Sequence, residues 1–294
     1  MQVELTDRFL YENQGSTDVY DYMYSKFRKH MALLLEQKKP RKVSAQKGYL
    51  NPTKLYKHRF SDNIFQRTVS TPSADTTIIF LIDGSGSMSE YVKTPVGKTT
   101  RLHLCGSVAA AFAKANKDVL GGKLKLEVMV KTAPSYAADN LDIAGTGNKR
   151  PVFLTRAYSS SRHGTAALQR LLSLAPKNPV SVDGFSDSSY TSEYAVLPIL
   201  SQWIKKNVST KNVIVFNLSD GDTYCDVGCP AYAFRNRDTQ ALRMKYLSGI
   251  PNVTLMIDSR YDKNYLRGVY GDNVIEASGD FHNELFRTFA RFLD

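Results

Sequence analysis

The spacing of apolar residues changes character several times along this chain, and each change marks an element. Thr77-Ile78-Ile79-Phe80-Leu81-Ile82 and Val213-Ile214-Val215-Phe216-Asn217-Leu218 are nearly unbroken apolar runs closed by turn residues. That pattern predicts strands buried on both faces, as parallel strands are. Shorter runs at 124–130, 253–257 and 274–277 predict further strands, and 151–154 adds an extended piece.

Elsewhere the apolar positions fall three and four apart, the period of one helix face. Over 18–37 they are Tyr20, Met23, Tyr24, Phe27, Met31 and Leu34, and the helix stops at Lys38-Lys39-Pro40-Arg41-Lys42, whose charges stay in water. So much aromatic surface must pack on something, either the main domain or a partner's groove. Thr99 or Thr100 caps a second helix to Leu120, with Leu102, Cys105, Ala109 and Phe112 on its buried face and Gly121-Gly122 behind it. Further helices are expected over 166–174, 194–207 and 239–247, and Phe281, Leu285, Phe286, Phe289 and Phe292 line a closing one. Residues 48–67 read as a short helix and an edge segment, and 139–148 as a loop rich in Gly, Asn and Asp.

Composition narrows the class. At 294 residues, 42% hydrophobic and 23% charged, the chain can bury a large core. No apolar run approaches the roughly 18 residues needed to span a bilayer, and no basic-then-apolar leader opens the chain. Cys105, Cys225 and Cys229 are too few for a disulfide framework, so a reducing, cytoplasmic setting is expected. The net charge of +11 is uneven, with more than half of it on residues 1–70. A basic N-terminal extension over 1–70 points to an acidic partner, nucleic acid or an acidic protein surface, or simply to a solvated face.

The candidate chemistry sits where the first apolar run ends, in Asp83-Gly84-Ser85-Gly86-Ser87-Met88. One carboxylate and two hydroxyls at alternate positions aim three oxygens at one point, and the intervening glycines let the backbone turn tightly. Magnesium takes about six oxygens near 2.1 Å and keeps several waters, so such a loop supplies part of a shell and leaves part open. A plain Gly/Ser turn is the bland alternative. A haloacid-type phosphatase would want a second Asp at position 85, where this chain has Ser85. The second apolar run ends in Ser219-Asp220-Gly221-Asp222, another oxygen-donor loop, with Asp222 expected outside the ion's inner shell.

Asp83-Gly84-Ser85-Gly86-Ser87 resembles the metal-ion-dependent adhesion site of von Willebrand factor A (vWA) domains. Gly48-x-Leu50, Leu55-Tyr56-Lys57, Asp62-x-Ile64-Phe65-x-Arg67 and Asp75-Thr76 before the site strand are together similar to the lead-in of the CobT-type vWA domain of aerobic cobaltochelatases. This likeness runs over about 45–250 and is densest up to Met88. It implies an α/β fold with a doubly wound, mostly parallel central sheet flanked by helices, with the vWA domain over 71–294 behind the helical extension. It also implies Mg²⁺ or Mn²⁺ bound by Asp83, Ser85 and Ser87, by Asp220 as last ligand, and by a third hydroxyl. Thr191 is the first choice for that hydroxyl, because vWA domains place this ligand just before the last helix; Ser188, Ser189 and Thr165 stay open.

Three functions are compatible with these residues. The first is a binding module whose metal shell an acidic protein ligand completes; the CobT-type resemblance makes the partner an AAA+ ATPase of the MoxR or chelatase class. The chain has no Gly-x-x-x-x-Gly-Lys-Ser/Thr loop and so is not the motor itself. The second is a metal-chelatase subunit or metal-dependent hydrolase, for which only Asp222, His163 and Glu193 offer a base, in no recognisable arrangement. The third is an RNA-binding vWA protein, favoured by the basic extension but lacking an aromatic ribonucleoprotein motif. Cys225 and Cys229 resemble half a zinc site without a second pair, and His103 and Cys105, two apart on a helix, point in different directions.

Overall fold

The computed structural model describes residues 17–37, 41–45, 49–50, 65–69, 75–134, 153–174, 189–190, 193–221, 243–259, 261–277, 282–285 and 287–288. The strands are β1 Arg41–Ala45, β2 Tyr49–Leu50, β3 Phe65–Val69, β4 Thr76–Asp83, β5 Tyr91–Thr94, β6 Gly97–Thr100, β7 Lys125–Pro134, β8 Phe153–Ser159, β9 Ser189–Tyr190, β10 Asn212–Ser219, β11 Asn252–Met256 and β12 Val274–Glu276. The helices are α1 Asp18–Gln37, α2 Arg101–Leu120, α3 Leu168–Leu172, α4 Glu193–Asn207 and α5 Lys263–Tyr270. Residues 243–246, 282–285 and 287–288 are also helical.

The main sheet runs β12-β11-β10-β4-β7-β8, with β9 pairing β7. The first five are parallel, while β8 and β9 are antiparallel to β7. From the central β4 the chain moves first to β7 on one side and later to β10 on the other. The switch point of this doubly wound α/β fold therefore lies between β4 and β10, where the carboxyl ends of adjacent strands diverge into a crevice.

The two apolar runs form β4 and β10 because helices cover both faces of the sheet. In β4, Ile78, Phe80 and Ile82 face a core shared with α1 and α2, whereas Ile79 and Leu81 face α4 through Val196, Leu197, Leu200 and Trp203. Aromatic rings tie the first layer together. Phe27 of α1 meets Phe112 of α2 edge-on at 5.7 Å, Phe112 meets Phe80 edge-on at 5.5 Å, and Phe80 stacks on Phe216 of β10 at 5.5 Å. On α2 every side chain from Arg101 to Ala113 is buried, since the sheet lies on one side and α1 on the other. Val19, Met23, Phe27 and Met31 of α1 belong to this same core, so the helix of the N-terminal extension packs on the main sheet's helical layer.

Several elements depart from the sequence expectation. Arg41 and Lys42 open β1, which pairs antiparallel with β3, and β2 pairs with β3 as well. Strands thus flank a stretch read as a short helix, whose residues 51–64 lie outside the described residues. Between the Asp83 loop and α2 stands a β5–β6 hairpin that the apolar pattern did not announce, since only Val92 of its residues joins the core. Helix α5 was also missed, although Asp262 caps it with hydrogen bonds from the Asn264 and Tyr265 N–H groups and Leu266, Val269 and Tyr270 line its buried face. Among the described residues no helix is long and apolar enough to cross a membrane.

Candidate metal centre

The ends of β4 and β10 carry the two carboxylate loops side by side, with Ile82 in register with Leu218. Asp83, last residue of β4, is fully buried. Its Oδ1 accepts the Ser85 N–H at 2.9 Å and its Oδ2 accepts the Ser219 hydroxyl at 2.8 Å, so β10 reaches across to the β4 loop through a side chain. The loop turns under Asp83 because Gly84 comes close to β7. A Cβ at Gly84 would lie 2.5 Å from Thr132 Cγ2 and 2.8 Å from Val130 Cγ1, and the Gly84 N–H donates to the Lys131 carbonyl at 2.9 Å. Only glycine permits that approach.

Ser85 and Ser87 follow, the second inside the 3-10 turn Gly86–Ser89, and their hydroxyls are hydrogen-bonded to each other at 3.0 Å. Adjacent oxygens of an octahedral magnesium shell at about 2.1 Å are separated by about 3 Å. The hydroxyl pair is therefore spaced as two neighbouring ligands of one ion would be. Asp220 is buried at the end of β10, and Gly221 behind it has φ 91°, with space for a Cβ denied by Ser259 Oγ at 2.8 Å.

Two cations complete the cluster, and neither was singled out by the sequence pattern. The ammonium of fully buried Lys131, in register with Asp83 on β7, lies 3.9 Å from Asp83 Oδ2. Arg101, first residue of α2, spans the crevice. Its Nη1 lies 3.0 Å from Glu90 Oε2, 3.1 Å from the Ser87 carbonyl and 3.2 Å from Asp220 Oδ2, and its Nη2 reaches the carboxylate and carbonyl of Asp258 at 3.1 and 3.2 Å. Asp258 takes φ 51°, the left-handed region that Asp tolerates better than most residues, and Arg101 anchors it there. One guanidinium thus fastens the β4, β10 and β11 loops to one another. Beneath the cluster, burial raises the Cys105 thiol well above its usual range, and the Asp83 and Asp220 carboxylates add to the effect.

The remaining expectations fall as follows. Asp83, Ser85, Ser87 and Asp220 gather at one crevice; Thr191, Ser188 and Asp222 lie outside the described residues, as do Cys225 and Cys229. Ser189 sits in β9, paired with Pro134 at the end of β7. Thr165 opens a turn after β8, and among the described residues no hydrogen bond joins it to the Asp83 loop. His103 Nδ1 meets the Leu172 carbonyl at 2.9 Å rather than pairing with Cys105. His163 Nδ1 accepts the Ser159 N–H at 3.0 Å in the turn after β8. Among the described residues no group of three or more His, Cys, Asp or Glu side chains is placed to hold a metal ion. The donor set at this crevice is of another kind, two carboxylates with hydroxyls, which suits a hard cation.

No family model and no curated protein matches the chain. Among solved structures, it is similar to the pilus adhesin SpaC from Lactobacillus rhamnosus GG in an open conformation, with 14% identity and a TM-score of 0.45. That match covers 74% of this chain and 30% of the adhesin, so the chain spans less than a third of the adhesin's length. It is also similar to the human COPII-coat protein Sec24c, with 9% identity and a TM-score of 0.39, over 74% of this chain and 32% of that one.

Proposed function

We propose that this chain is a cytoplasmic, Mg²⁺-dependent protein-interaction module of vWA type that serves as adaptor or regulator of an AAA+ ATPase of the MoxR or chelatase class. The observation that carries the metal half is the Ser85–Ser87 hydroxyl pair, 3.0 Å apart beside buried Asp83 at the sheet's switch point. Asp83, Ser85, Ser87 and Asp220, with a hydroxyl from the Thr191 region, would hold the ion, and Mn²⁺ would be accepted by the same oxygens. When bound, the ion supplies a Lewis-acidic position that an acidic side chain of the partner completes. Hydroxyl ligands leave the ion electron-poor, so it retains affinity for a further anionic oxygen. The ATPase partner rests on the CobT-like run from Gly48 to Met88.

Asp83→Ala should abolish Mg²⁺ binding in calorimetry and leave the far-ultraviolet circular dichroism unchanged. Association with MoxR or chelatase-type ATPases of the same source should be strong in Mg²⁺, weak in chelator, and weak in Ser85→Ala/Ser87→Ala. Unchanged calorimetric binding in Asp83→Ala would sink the metal assignment. Metal-dependent hydrolysis of a phosphate ester by the isolated chain, lost in Asp83→Ala, would replace the adaptor reading with a hydrolase. RNA binding that persists in chelator, with no ATPase partner found, would replace it with an RNA-binding role.

A further inference from the structure

The β5–β6 hairpin is inserted between the 3-10 turn carrying Ser87 and the helix that begins with Arg101. It is fixed to the crevice at both ends: the Arg101 N–H donates to the Glu90 carbonyl at 3.0 Å, and the Arg101 guanidinium pairs with the Glu90 carboxylate at 3.0 Å. Its inner face is anchored by buried Val92 and Thr99, which are cross-strand partners. Its tip is stiffened by Thr94, whose hydroxyl donates to the Gly97 carbonyl at 2.7 Å. The outer face is therefore presented rigidly beside the metal loop.

That outer face is built against its own stability. Lys93 and Lys98 are directly opposite each other in the ladder and both exposed. Like charges in a cross-strand pair repel, and among the described residues neither lysine meets a carboxylate. Residues 91–100 contain no Asp or Glu at all. Next to the pair, Tyr91 is 73% exposed, and Val96 at the tip is exposed too. An uncompensated lysine pair with an unpacked tyrosine is what an acidic polypeptide would cover. Tyr offers a large contact area at low entropic cost, and the lysines' mutual repulsion is relieved when an anion bridges them. Two lysines and one ring can hold neighbouring carboxylates, whereas a nucleic-acid strand needs a run of cations along a groove.

We infer that the β5–β6 hairpin is a second contact for the acidic protein ligand of the metal centre: one acidic side chain completes the ion's shell, and further acidic side chains of the same segment lie across Lys93 and Lys98 against Tyr91. This rests on the metal-centre reading above and says what kind of segment that site takes. The ligand is an acidic run, not a lone carboxylate.

The test uses the whole chain and a fluorescein-labelled poly-glutamate peptide, with its glutamine counterpart and poly-uridine RNA as controls, read by anisotropy. In Mg²⁺ the wild type should bind poly-glutamate and not the glutamine peptide. Lys93→Glu/Lys98→Glu should weaken binding about tenfold and flatten its salt dependence, while Mg²⁺ affinity measured by calorimetry stays the same. Lys98→Glu alone replaces a repelling pair by an attracting one, so it should raise the melting temperature slightly and still weaken the peptide, which separates binding from folding. If the hairpin variants bind poly-glutamate like the wild type while Asp83→Ala loses it, the hairpin inference is wrong and the metal reading stands. If Asp83→Ala binds as well as wild type and only the hairpin variants lose it, the hairpin contact stands and the metal reading fails. No binding of poly-glutamate by the wild type in Mg²⁺, or tighter binding of poly-uridine that the hairpin variants abolish, overturns the inference.

Discussion

At the scale of single residues, Asp83 shows how a carboxylate can be fully buried. Its oxygens accept one backbone N–H and one hydroxyl, and the Lys131 ammonium stands 3.9 Å away. Burying a charge without such partners would cost several kcal/mol. Removing the ammonium should therefore expose the cost. Lys131→Met in chelator is expected to lose about 3 kcal/mol, the lower end of what breaking a buried pair costs. Added Mg²⁺ should recover part of that loss, so the metal-dependent rise in melting temperature should be larger in the variant than in the wild type. An equal rise in both would mean that Lys131 and the ion do not act on the same carboxylate. The oxygen donors were readable in sequence because each stands at a strand end with glycines beside it. Lys131 and Arg101 were not. Lys131 lies just past an apolar run, where a solvent-facing side chain is the ordinary expectation, and Arg101 meets Asp220 across 119 residues that no local pattern connects.

At the scale of elements, the pairs that lock strands together also set how the protein responds to pH. Glu127 of β7 and Ser159 of β8 are cross-strand partners, and the Ser159 hydroxyl donates to Glu127 Oε1 at 2.6 Å; Arg156 reaches the other oxygen at 3.3 Å from beyond a bulge between Val128 and Met129. Burial raises the Glu127 pKa above its ordinary 4.5, outweighing the Ser159 hydrogen bond and the Arg156 and Arg162 charges that lower it. With the folded value above the unfolded one, the folded chain holds the proton longer. This group's contribution is thus favourable below the unfolded value and is lost as pH rises through the folded one. Glu127→Gln should remove that component. Relative to wild type, the variant's urea midpoint should rise as pH climbs from about 4.5 toward neutrality and then level off. A constant difference between the two chains across that range would mean that Glu127 is not titrating in this window. Elements with strong apolar periods, such as α1 and α2, were read from sequence nearly to their ends. The β5–β6 hairpin and α5 were not, because the hairpin gives one side chain to the core and α5 is short enough for its three buried positions to pass as loop residues.

At the scale of the whole molecule, the crevice lies where it does because β4 sits mid-sheet and the chain leaves it in opposite directions, so the loops after β4 and β10 must part there. Two apolar runs, each closed by an oxygen-donor loop, made that juxtaposition foreseeable. The packing of α1 was harder to foresee, since its aromatic stripe fitted a partner's groove as well as its own core. In the structure α1 covers α2, burying Val19, Met23, Phe27 and Met31, and the Tyr24 hydroxyl donates to Asp118 at 2.7 Å on the rim of that contact. From Arg101 to Ala113 helix α2 is buried all round and so needs cover on both sides, while its last turn carries exposed Lys117 and Asp118. The basic segment 1–70 and the domain that follows should then behave as one folding unit. Phe27→Ala removes a ring that touches Phe112 and through it Phe80, and it should cost about 3–5 kcal/mol. The loss should appear as a lower urea midpoint in a single cooperative transition at unchanged slope. Deleting residues 1–37 should leave a chain that aggregates, with the face of α2 around Phe112 laid open. A truncated chain that stays monomeric with wild-type stability, or a Phe27→Ala variant that melts in two steps, would show instead that α1 is an appended arm and that the crevice needs only the sheet and α2 to hold it.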